Sequence, residues 1–394
     1  MNSLKNLKDL AGQRVLLRVD FNVPLEKDKK GKIIVADHSK MLAALPTIKF
    51  LLEQKAKIIL ITHLGRPRGK VVNSLRLEPV VKELKKLLQK YRKDIGYWND
   101  WNFENIRNIV DEMGEGEILV LENLRFYKGE EENSAKFAKD LASLARIYIN
   151  DAFAVCHRKA ASIVAIAKYL PSYPGLLLEK EIEALGKVVK YPKKPMVIMM
   201  GGAKVATKIG MINNLLKKSD KVLLGGGLAN TFLKAKRYEV GKSLFDKNGV
   251  KSAKKLLKNK KIVLPIDVVV AKNKKGKPMV KEIKEVAKTD MILDIGPETI
   301  KLFAGFIHNA NTLVWNGPLG YYENKTFSHG SIALGRLIAA RSSGRAYGVV
   351  GGGETLDVLT ETKMAKFIDH VSTGGGAMLE FLEGKSLPGI KALE

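Results

Sequence analysis

The stretch Met196-Val-Ile-Met-Met200, followed at once by Gly201-Gly202, shows the pattern that decides the fold. Five apolar residues without alternation are typical of a strand covered on both faces, as in parallel sheets flanked by helices. Nine similar runs occur among the 394 residues. They are Arg14–Val19, Lys57–Thr62, Glu117–Leu121 and Arg146–Asn150 in the first half, and Lys221–Leu224, Ile262–Val270, Met291–Asp294, Thr312–Trp315 and Ala346–Val350 in the second.

Amphipathic segments with helical spacing lie between these runs. They include Leu77–Lys90, Ser134–Ala145, Ile209–Lys217 and Leu334–Arg341. A chain of this length fits two domains better than one core, and its 45% hydrophobic content is that of a globular protein. We therefore predict an α/β fold with two similar-sized lobes, each a mainly parallel sheet with flanking helices.

The boundary between the lobes is predicted at residues 171–195. Pro171 and Pro174 break the chain, the helical segment Leu176–Lys190 follows, and Pro192 and Pro195 break it again. We expect a connector helix and hinge here, between domains at residues 1–170 and 196–373. The simpler alternative is one more crossover helix within a single sheet, although sheets of more than about ten strands usually split.

The net charge of +27 raises the question of a nucleic-acid partner. The lysines are spread along the chain in runs that resemble solvated loops, and neither zinc-finger spacing nor an aromatic-basic strand accompanies them. We expect neither a nucleic-acid partner nor a membrane span. A single cysteine, Cys156, and an N-terminus without a leader pattern predict a cytoplasmic protein.

Charged and polar residues follow the strands of the first half. Ligands of α/β sheets bind beyond the carboxyl ends of the strands, so these residues are expected to share one rim. Three arginines and two histidines among them predict a pocket for a small polyanion, since arginine presents a planar fork to phosphate and carboxylate. The four clusters are Asp20-Phe21-Asn22, His63-Leu64-Gly65-Arg66, Glu122 to Arg125, and Asp151 to His157-Arg158.

Glycine clusters follow the strands of the second half. Glycine lets the backbone approach a ligand, and helix N-termini favour phosphate. Lys204 and Lys208, one helical turn apart, are expected beside such a phosphate, although a pair of surface lysines is the alternative. The clusters are Gly201–Lys204, Gly225–Gly227, Trp315–Gly320, Gly351–Thr355 and Gly374–Gly376; neither a P-loop motif nor a GxGxxG unit is present.

Ten segments spread over the whole chain resemble phosphoglycerate kinases, in the order found in that family. They are RVDFNVP, AALPTI, THLGRP, LENLRF, NDAF…HR, GGAKV…KIG, LLGGGLANTFLKA, LVWNGPLG, VVGGGET and STGGGA…LEGKSLPGI. The resemblance implies reversible transfer of the acyl phosphate of 1,3-bisphosphoglycerate to ADP, giving 3-phosphoglycerate and ATP. It also implies a 3-phosphoglycerate domain followed by a nucleotide domain, a tail at residues 374–394 that returns to the first domain, Mg²⁺ as the cofactor with ATP or ADP, and a monomer.

The resemblance further assigns roles to individual residues. Lys40, Arg66, Lys204 and Lys208 are the expected catalytic cations, and Glu354 is the expected metal contact, with Mg²⁺ held mostly by nucleotide phosphates. The glycerate is expected to be bound by Asp20, Phe21, Asn22, Lys40, His63, Leu64, Gly65, Arg66, Arg125 and Arg158. The nucleotide is expected to be bound by Gly202, Ala203, Lys204, Lys208, Gly225, Gly226, Asn316, Pro318, Glu323, Gly352, Gly353, Glu354 and Thr355.

Four positions differ from the pattern of the family. Lys40 stands where an essential arginine is expected, and Glu354 stands where aspartate is usual near the metal. Thr207 and Ala160 are smaller departures, the latter in place of a second histidine. Lys40 and Glu354 leave open a weakly active or inactive nucleotide-binding homologue, since lysine lacks the bidentate fork of arginine. The net charge of +27 leaves open a polyanion-binding protein.

Lys40→Ala should lower turnover by about 10²-fold or more, by analogy with the charge-stabilising arginine of phosphoryl transfer. Lys40→Arg should be tolerated or should raise the rate. A coupled assay of ATP-dependent phosphorylation of 3-phosphoglycerate measures both. Full activity of Lys40→Ala would show that Lys40 does not contact the moving phosphoryl group.

Overall fold

The computed structural model describes residues 3–91, 94–202 and 208–394. The chain divides into two compact units, Met1–Ile182 together with Ser386–Glu394, and Glu183–Lys385. Three positions singled out in the sequence, Ala203, Lys204 and Thr207, lie outside the described residues. Within the described part of the chain, no helix combines the length and apolar composition that a membrane crossing needs.

The first unit contains a six-stranded parallel sheet with the strand order β5-β6-β4-β1-β7-β8 and a separate two-stranded hairpin, β2-β3. The strands are β1 (Arg14–Val19), β2 (Leu25–Lys27), β3 (Ile33–Val35), β4 (Lys57–Ile61), β5 (Ile95–Trp98), β6 (Ile118–Leu121), β7 (Ile147–Asp151) and β8 (Ser172–Pro174). The helices are α1 (Ser39–Glu53), α2 (Glu78–Leu87), α3 (Phe103–Glu112), α4 (Lys128–Glu131), α5 (Ala135–Ala142) and α6 (Leu176–Lys190).

β1 lies inside the sheet and is almost completely buried. It pairs with β4 on one side and β7 on the other, and the register places Val19 beside Asp151. Its residues Val15, Leu17 and Val19 belong to a core that includes Ile48 of α1 and Leu84 of α2. The carboxyl ends of these three strands therefore meet at one edge of the sheet, as the unbroken apolar runs predicted.

The second unit contains another six-stranded parallel sheet, with the order β11-β10-β9-β15-β16-β17. The strands of the unit are β9 (Met196–Met200), β10 (Lys221–Leu224), β11 (Ile262–Val263), β12 (Asp267–Ala271), β13 (Met279–Glu282), β14 (Met291–Ile295), β15 (Thr312–Asn316), β16 (Tyr347–Gly351) and β17 (His370–Ser372). The helices are α7 (Ile209–Leu216), α8 (Gly226–Ala235), α9 (Val250–Leu256), α10 (Pro297–His308), α11 (His329–Ser342), α12 (Gly353–Glu361) and α13 (Gly376–Leu382).

The prediction of a single strand at Ile262–Val270 is wrong. The run is divided between β11, at the edge of the parallel sheet, and β12, which lies in a separate antiparallel sheet with the order β13-β12-β14. Pro265 stands between them and has no backbone N–H to donate to a ladder. The run at β14 also belongs to this antiparallel sheet, so an apolar run alone does not distinguish the two kinds of sheet.

The predicted connector helix has the bounds expected from the sequence, and the division between the units falls inside it, after Ile182. The chain re-enters the first unit at Ser386 and ends in the short helix α14 (Pro388–Lys391). The N–H group of Gly389 donates to the carbonyl of Cys156 at 2.8 Å. A Cβ at Gly389 would lie 2.7 Å from Ile163, so the tail packs closely against this unit.

Asp151 ends β7, and its Oδ1 accepts N–H bonds from Leu177 (2.9 Å) and Leu178 (3.2 Å) in the first turn of α6. Burial raises the pKa of this carboxyl to about 7. Its pKa in an unfolded chain is about 3.9, so between these values the native state binds more protons and stability falls as pH rises.

Asp151→Asn keeps an oxygen for the two N–H bonds and removes the titration. The free energy of unfolding in urea should therefore decrease less between about pH 4 and 7 in the variant than in the parent. Asp100→Asn, at an exposed site, is the matched control and should behave like the parent. An unchanged pH dependence in Asp151→Asn would contradict this origin.

Candidate functional site

The loops after β1 and β4 hold the first group of predicted site residues. Asp20 is nearly buried, and its Oδ2 accepts a hydrogen bond from Nζ of Lys40 at 2.7 Å, from the first turn of α1. Nδ1 of His63 lies 3.9 Å from Oδ1 of the same carboxylate. The structure therefore brings these three predicted residues together although 43 positions separate the first from the last.

Backbone and amide hydrogen bonds hold these loops in position. The Asn22 side chain accepts from the N–H group of Gly65 at 2.9 Å, and the Phe21 N–H group donates to Thr62 at 2.9 Å. The Asn123 side chain accepts from Leu64 N–H at 3.1 Å and donates to its carbonyl at 2.7 Å. Arg66, which follows Gly65 directly, is exposed. Phe21 and Leu64, also predicted to bind the glycerate, are buried.

Arginines form the opposite part of the rim. Nη1 of Arg125 donates to the carbonyl of Gly65 at 2.7 Å, and Arg125 and Arg158 line a pocket of about 140 Å³ together with Arg18, Lys159 and the small side chain of Ala160. Burial, followed by the positive charges of Arg158 and Arg18, lowers the pKa of Arg125 to about 10. Glu130 and Glu131 also line the pocket, and Oε1 of Glu131 lies 3.5 Å from Nε of Arg125. The charges of both carboxylates raise the pKa of Arg125 but do not outweigh burial and the two arginines.

His63 is fully buried within the same field. Burial lowers its pKa well below 6.5, and the charges of Arg18, Arg125, Lys40 and Arg158 lower it further. At neutral pH the imidazole is therefore uncharged. It can donate one N–H bond to an anion but adds no charge of its own.

Arg18 is the main residue of this rim that the sequence did not reveal. It is 1% exposed, and its Nη2 lies 3.1 Å from Nδ1 of His63. It went unpredicted because it lies inside the apolar run of β1 and not at its end. A charged residue in the middle of a buried strand is itself a signal, since such a charge must have buried partners.

In the second unit the glycine clusters form a compact corner of backbone. The N–H group of Gly202 donates to the carbonyl of Pro318 at 2.9 Å, and that of Gly226 donates to Leu319 at 2.7 Å. A Cβ at Gly201 would lie 1.8 Å from the Pro318 carbonyl oxygen, and one at Gly225 would lie 2.5 Å from Leu319. Side chains are thus excluded where the ends of β9, β10 and β15 meet.

Lys208 reaches into this corner from the start of α7. Its Nζ donates to the carbonyl oxygens of Gly201 (2.6 Å) and Asn316 (3.2 Å). Burial lowers the pKa of this ammonium to about 8, whereas the charge of Glu354 acts in the opposite direction. Lys208 therefore remains mostly charged at neutral pH, at a point where backbone carbonyls and one carboxylate are its partners.

The ends of β15 and β16 are tied together beside the lysine. The Asn316 side chain donates to the carbonyl of Gly351 at 2.8 Å, and Oγ1 of Thr355 accepts from the Gly317 N–H group at 2.7 Å. Helix α12 begins at Gly353, so its first N–H groups lie at this edge. Such N–H groups favour a bound anion.

A cavity of about 190 Å³ opens next to the corner. Five of the predicted residues line it, namely Gly202, Gly226, Pro318, Glu323 and Glu354. The rest of its wall is largely apolar and includes Leu244, Val268, Met291 and Leu293, which went unpredicted because they come from β12, β14 and a loop without a distinctive motif. An apolar wall with a few polar groups is typical of a small-molecule site.

The described residues contain no group of three or more His, Cys, Asp and Glu side chains that could hold a metal ion. Glu354 is the predicted metal contact. Its Oε2 would lie 3.5 Å from a Cβ at Gly202, and Nζ of Lys208 would lie 3.3 Å from the same point. Mg²⁺ binds carboxylate oxygens, so Glu354 fits as one contact of a metal ion that is held mainly by nucleotide phosphates.

Comparison with known proteins decides the family. The sequence model described as Phosphoglycerate kinase matches residues 4–385. The phosphoglycerate kinase of Moorella thermoacetica is 47% identical over 99% of this chain and 98% of its own length, and that of Pelotomaculum thermopropionicum is 45% identical over 98% and 97%. The chain belongs to the phosphoglycerate kinase family. It is accordingly a nucleotide-dependent phosphotransferase that acts on small molecules.

Solved phosphoglycerate kinases share the whole fold. The structure from Coxiella burnetii has a TM-score of 0.86 at 40% identity, and the structure from Pyrococcus horikoshii has a TM-score of 0.86 at 31% identity. Each comparison covers 100% of this chain and 98% of the other. The predicted architecture of two parallel-sheet lobes is thereby confirmed.

Two adjacent glycines at the start of α12, Gly352 and Gly353, allow backbone strain at this site to be tested. Gly352 has φ of +100°, and a Cβ there would lie 2.9 Å from the Asn316 amide nitrogen. Gly352→Ala should therefore lower the free energy of unfolding by about 1–3 kcal/mol. At Gly353 a Cβ would meet no atom within 4 Å, so Gly353→Ala is the matched control and should unfold like the parent. Equal losses in thermal denaturation would contradict the assignment of strain to Gly352.

Proposed function

We propose that this protein catalyses the reversible transfer of the acyl phosphate of 1,3-bisphosphoglycerate to ADP, giving 3-phosphoglycerate and ATP. The observation that supports it most is the excess of positive charge on the rim of the first unit. Arg18, Arg125 and Arg158 line one pocket, and the pKa of Arg125 is lowered to about 10. A bound phosphate removes the mutual repulsion that contributes to this shift.

The rim residues divide between the two ends of the glycerate. Asp20 and Asn22 suit its hydroxyl and carboxylate end, because the Asp20 carboxylate can accept from the hydroxyl and the Asn22 amide can donate to the carboxylate. The phosphate suits His63, Arg66, Arg125 and Arg158, which offer three guanidinium forks and one neutral N–H donor. Lys40, held by Asp20 at 2.7 Å, suits the moving phosphoryl group as a point charge.

The nucleotide suits the second unit. The apolar cavity takes the adenosine, with Glu323 at the ribose and with Pro318 and the backbone of Gly202, Gly225 and Gly226 as part of the wall. The phosphates suit Asn316, Gly352, Gly353 and Thr355 near the start of α12. Lys208 supplies charge to the transferred group. Ala203 and Lys204, outside the described residues, are proposed for the same purposes on the family pattern.

Glu354 is proposed to hold Mg²⁺ together with the nucleotide phosphates. The metal, when bound, supplies neutralisation of charge on the phosphate oxygens. The protein's own residues position the two substrates. No general base is needed, since the nucleophile in either direction, a carboxylate or an ADP phosphate oxygen, is already ionised at neutral pH. The neutral His63 fits this mechanism, because it donates a hydrogen bond and takes no proton.

A coupled assay with 3-phosphoglycerate and MgATP tests the proposal. The parent should be active, and EDTA should abolish the rate. Lys208→Met should lower turnover by about 10²-fold, because it removes a buried charge beside the transferred group. Lys217→Met, in the same helical region, is the control and should match the parent. An inactive parent that still binds ADP in calorimetry would instead indicate a nucleotide-binding homologue.

Each set of residues proposed for one substrate belongs to one unit, and transfer requires the two substrates to approach within a few ångströms. We infer hinge closure around α6 and the second chain crossing near Lys385. Either substrate alone has little differential affinity for the closed state.

Small-angle scattering should show a clear decrease in the radius of gyration with both substrates and a much smaller one with either. Full compaction with MgATP alone would rule out this account.

A further inference from the structure

A chain of buried polar side chains leads from Arg18 of the rim to two residues, Ser162 and Glu130, that the proposed reaction does not use directly. Arg18 is 1% exposed, Ser162 is 0% exposed and Glu130 of α4 is 1% exposed. Nε of Arg18 donates to Oγ of Ser162 at 3.0 Å, and that hydroxyl donates to Oε1 of Glu130 at 2.7 Å. The three residues come from a strand, a loop and a short helix that are distant in sequence.

The direction of each hydrogen bond in this chain is determined by chemistry. A guanidinium only donates and an ionised carboxylate only accepts, so the Ser162 hydroxyl must accept from Arg18 and donate to Glu130. The second carboxylate oxygen accepts from the Ser162 N–H group at 2.9 Å. The Tyr148 hydroxyl also donates to the Ser162 carbonyl. Ser162 is therefore held in place on its backbone as well as its side chain.

Arg18 carries this orientation to the substrate rim. Its Nη1 donates to the carbonyl of Val19, and its Nη2 lies 3.1 Å from Nδ1 of His63. Because arginine has no acceptor, Nδ1 of the neutral His63 must accept this bond. The imidazole proton is then on Nε2. The distance of 3.9 Å from Nδ1 to the Asp20 carboxylate is too long for a competing hydrogen bond.

The indirect connection to Glu130 involves neither Nη atom of Arg18, which bond Val19 and His63. A direct pair with Glu130 would engage the guanidinium fork and neutralise it locally. Here only one N–H group, on Nε, is directed toward Ser162, while Arg18 still lines the pocket with Arg125 and Arg158. The carboxylate thus orients the guanidinium from a distance of one hydroxyl group.

We propose that Glu130 and Ser162 are positioning residues that hold Arg18 and, through it, keep His63 in the Nε2–H form that donates to the phosphorylated substrate. This inference rests on the proposed function, since it assigns His63 to the substrate phosphate. It adds Ser162 and Glu130, to which the proposed function gives no role.

The first test measures the His63 tautomer by nuclear magnetic resonance. The chain has six histidines, so selective ¹⁵N-histidine labelling gives few signals, and His63→Gln identifies those of His63. In the parent, Nε2 should carry the proton and Nδ1 should not. In Ser162→Ala the two nitrogens should shift toward averaged values, because Arg18 loses its orientation. Ser162→Thr, which keeps a hydroxyl, should restore the parent spectrum.

The second test separates binding from turnover. Ser162→Ala should raise the KM for 3-phosphoglycerate by about tenfold, the loss expected for one charge-assisted hydrogen bond. The KM for MgATP should not change. Glu130→Gln should have the same selective effect and provides an independent variant if Ser162→Ala does not fold. Ser342→Ala removes a buried hydroxyl from the second unit, bonded to the Ile338 carbonyl at 2.8 Å, and is the matched control.

The outcomes are distinct from those that test the reaction itself. Unchanged His63 signals in both Ser162→Ala and Glu130→Gln would overturn the proposed positioning, even in an active enzyme. Equal increases in both KM values would overturn it as well, since general destabilisation would explain them. If the parent shows no kinase activity, the proposed function fails, and the affinity for inorganic phosphate in calorimetry replaces KM. A loss of phosphate affinity together with the tautomer change then supports the positioning.

Discussion

The concentration of positive charge at the carboxyl edge of the first sheet is the constraint on which the rest of this unit depends. Parallel strands bring their ends to one edge, and here those ends carry arginines. Burial is the main cause of the lowered pKa values of His63 and Arg125, and the positive charges of Arg18 and Arg158 lower both pKa values further. Such a site costs stability in the free protein, and a bound polyanion offsets that cost.

The second unit presents different groups to an anion, although its parallel sheet is similar to that of the first unit. Its strand ends are rich in glycine, so backbone N–H groups and the start of α12 provide much of the polar surface. Lys208 is the one described lysine among the predicted nucleotide residues, and burial lowers its pKa to about 8. A rim of guanidinium groups suits a small substrate that is mostly charge, whereas a glycine corner beside an apolar cavity suits a nucleotide with a large uncharged part.

Much of the fold could be predicted from apolar runs. Nine of the ten predicted runs coincide with single strands to within one or two residues, and the bounds of α6 agree. The tenth was divided at Pro265. Six strands were not predicted, namely β2, β3, β5, β8, β13 and β17. Each has only three or four residues and lies at an edge of its sheet, where an unbroken apolar run is not required. The apolar runs of β12 and β14 also did not show that these strands belong to an antiparallel sheet, because they resemble the runs of the parallel strands.

By itself, the sequence determined where most strands lie along the chain and which residue types follow them, since both are local properties of the chain. Asp20, His63, Arg125 and the glycine clusters could therefore be assigned to sheet edges from the order of residues alone. Only the tertiary structure decided how the rim is supported. Arg18 bonds Ser162 across 144 positions and Ser162 bonds Glu130 across 32, and no spacing rule predicts such partners. Their contact depends on how the strand, loop and helix pack, because a buried charge is stable only where packing brings hydrogen-bonding groups to it.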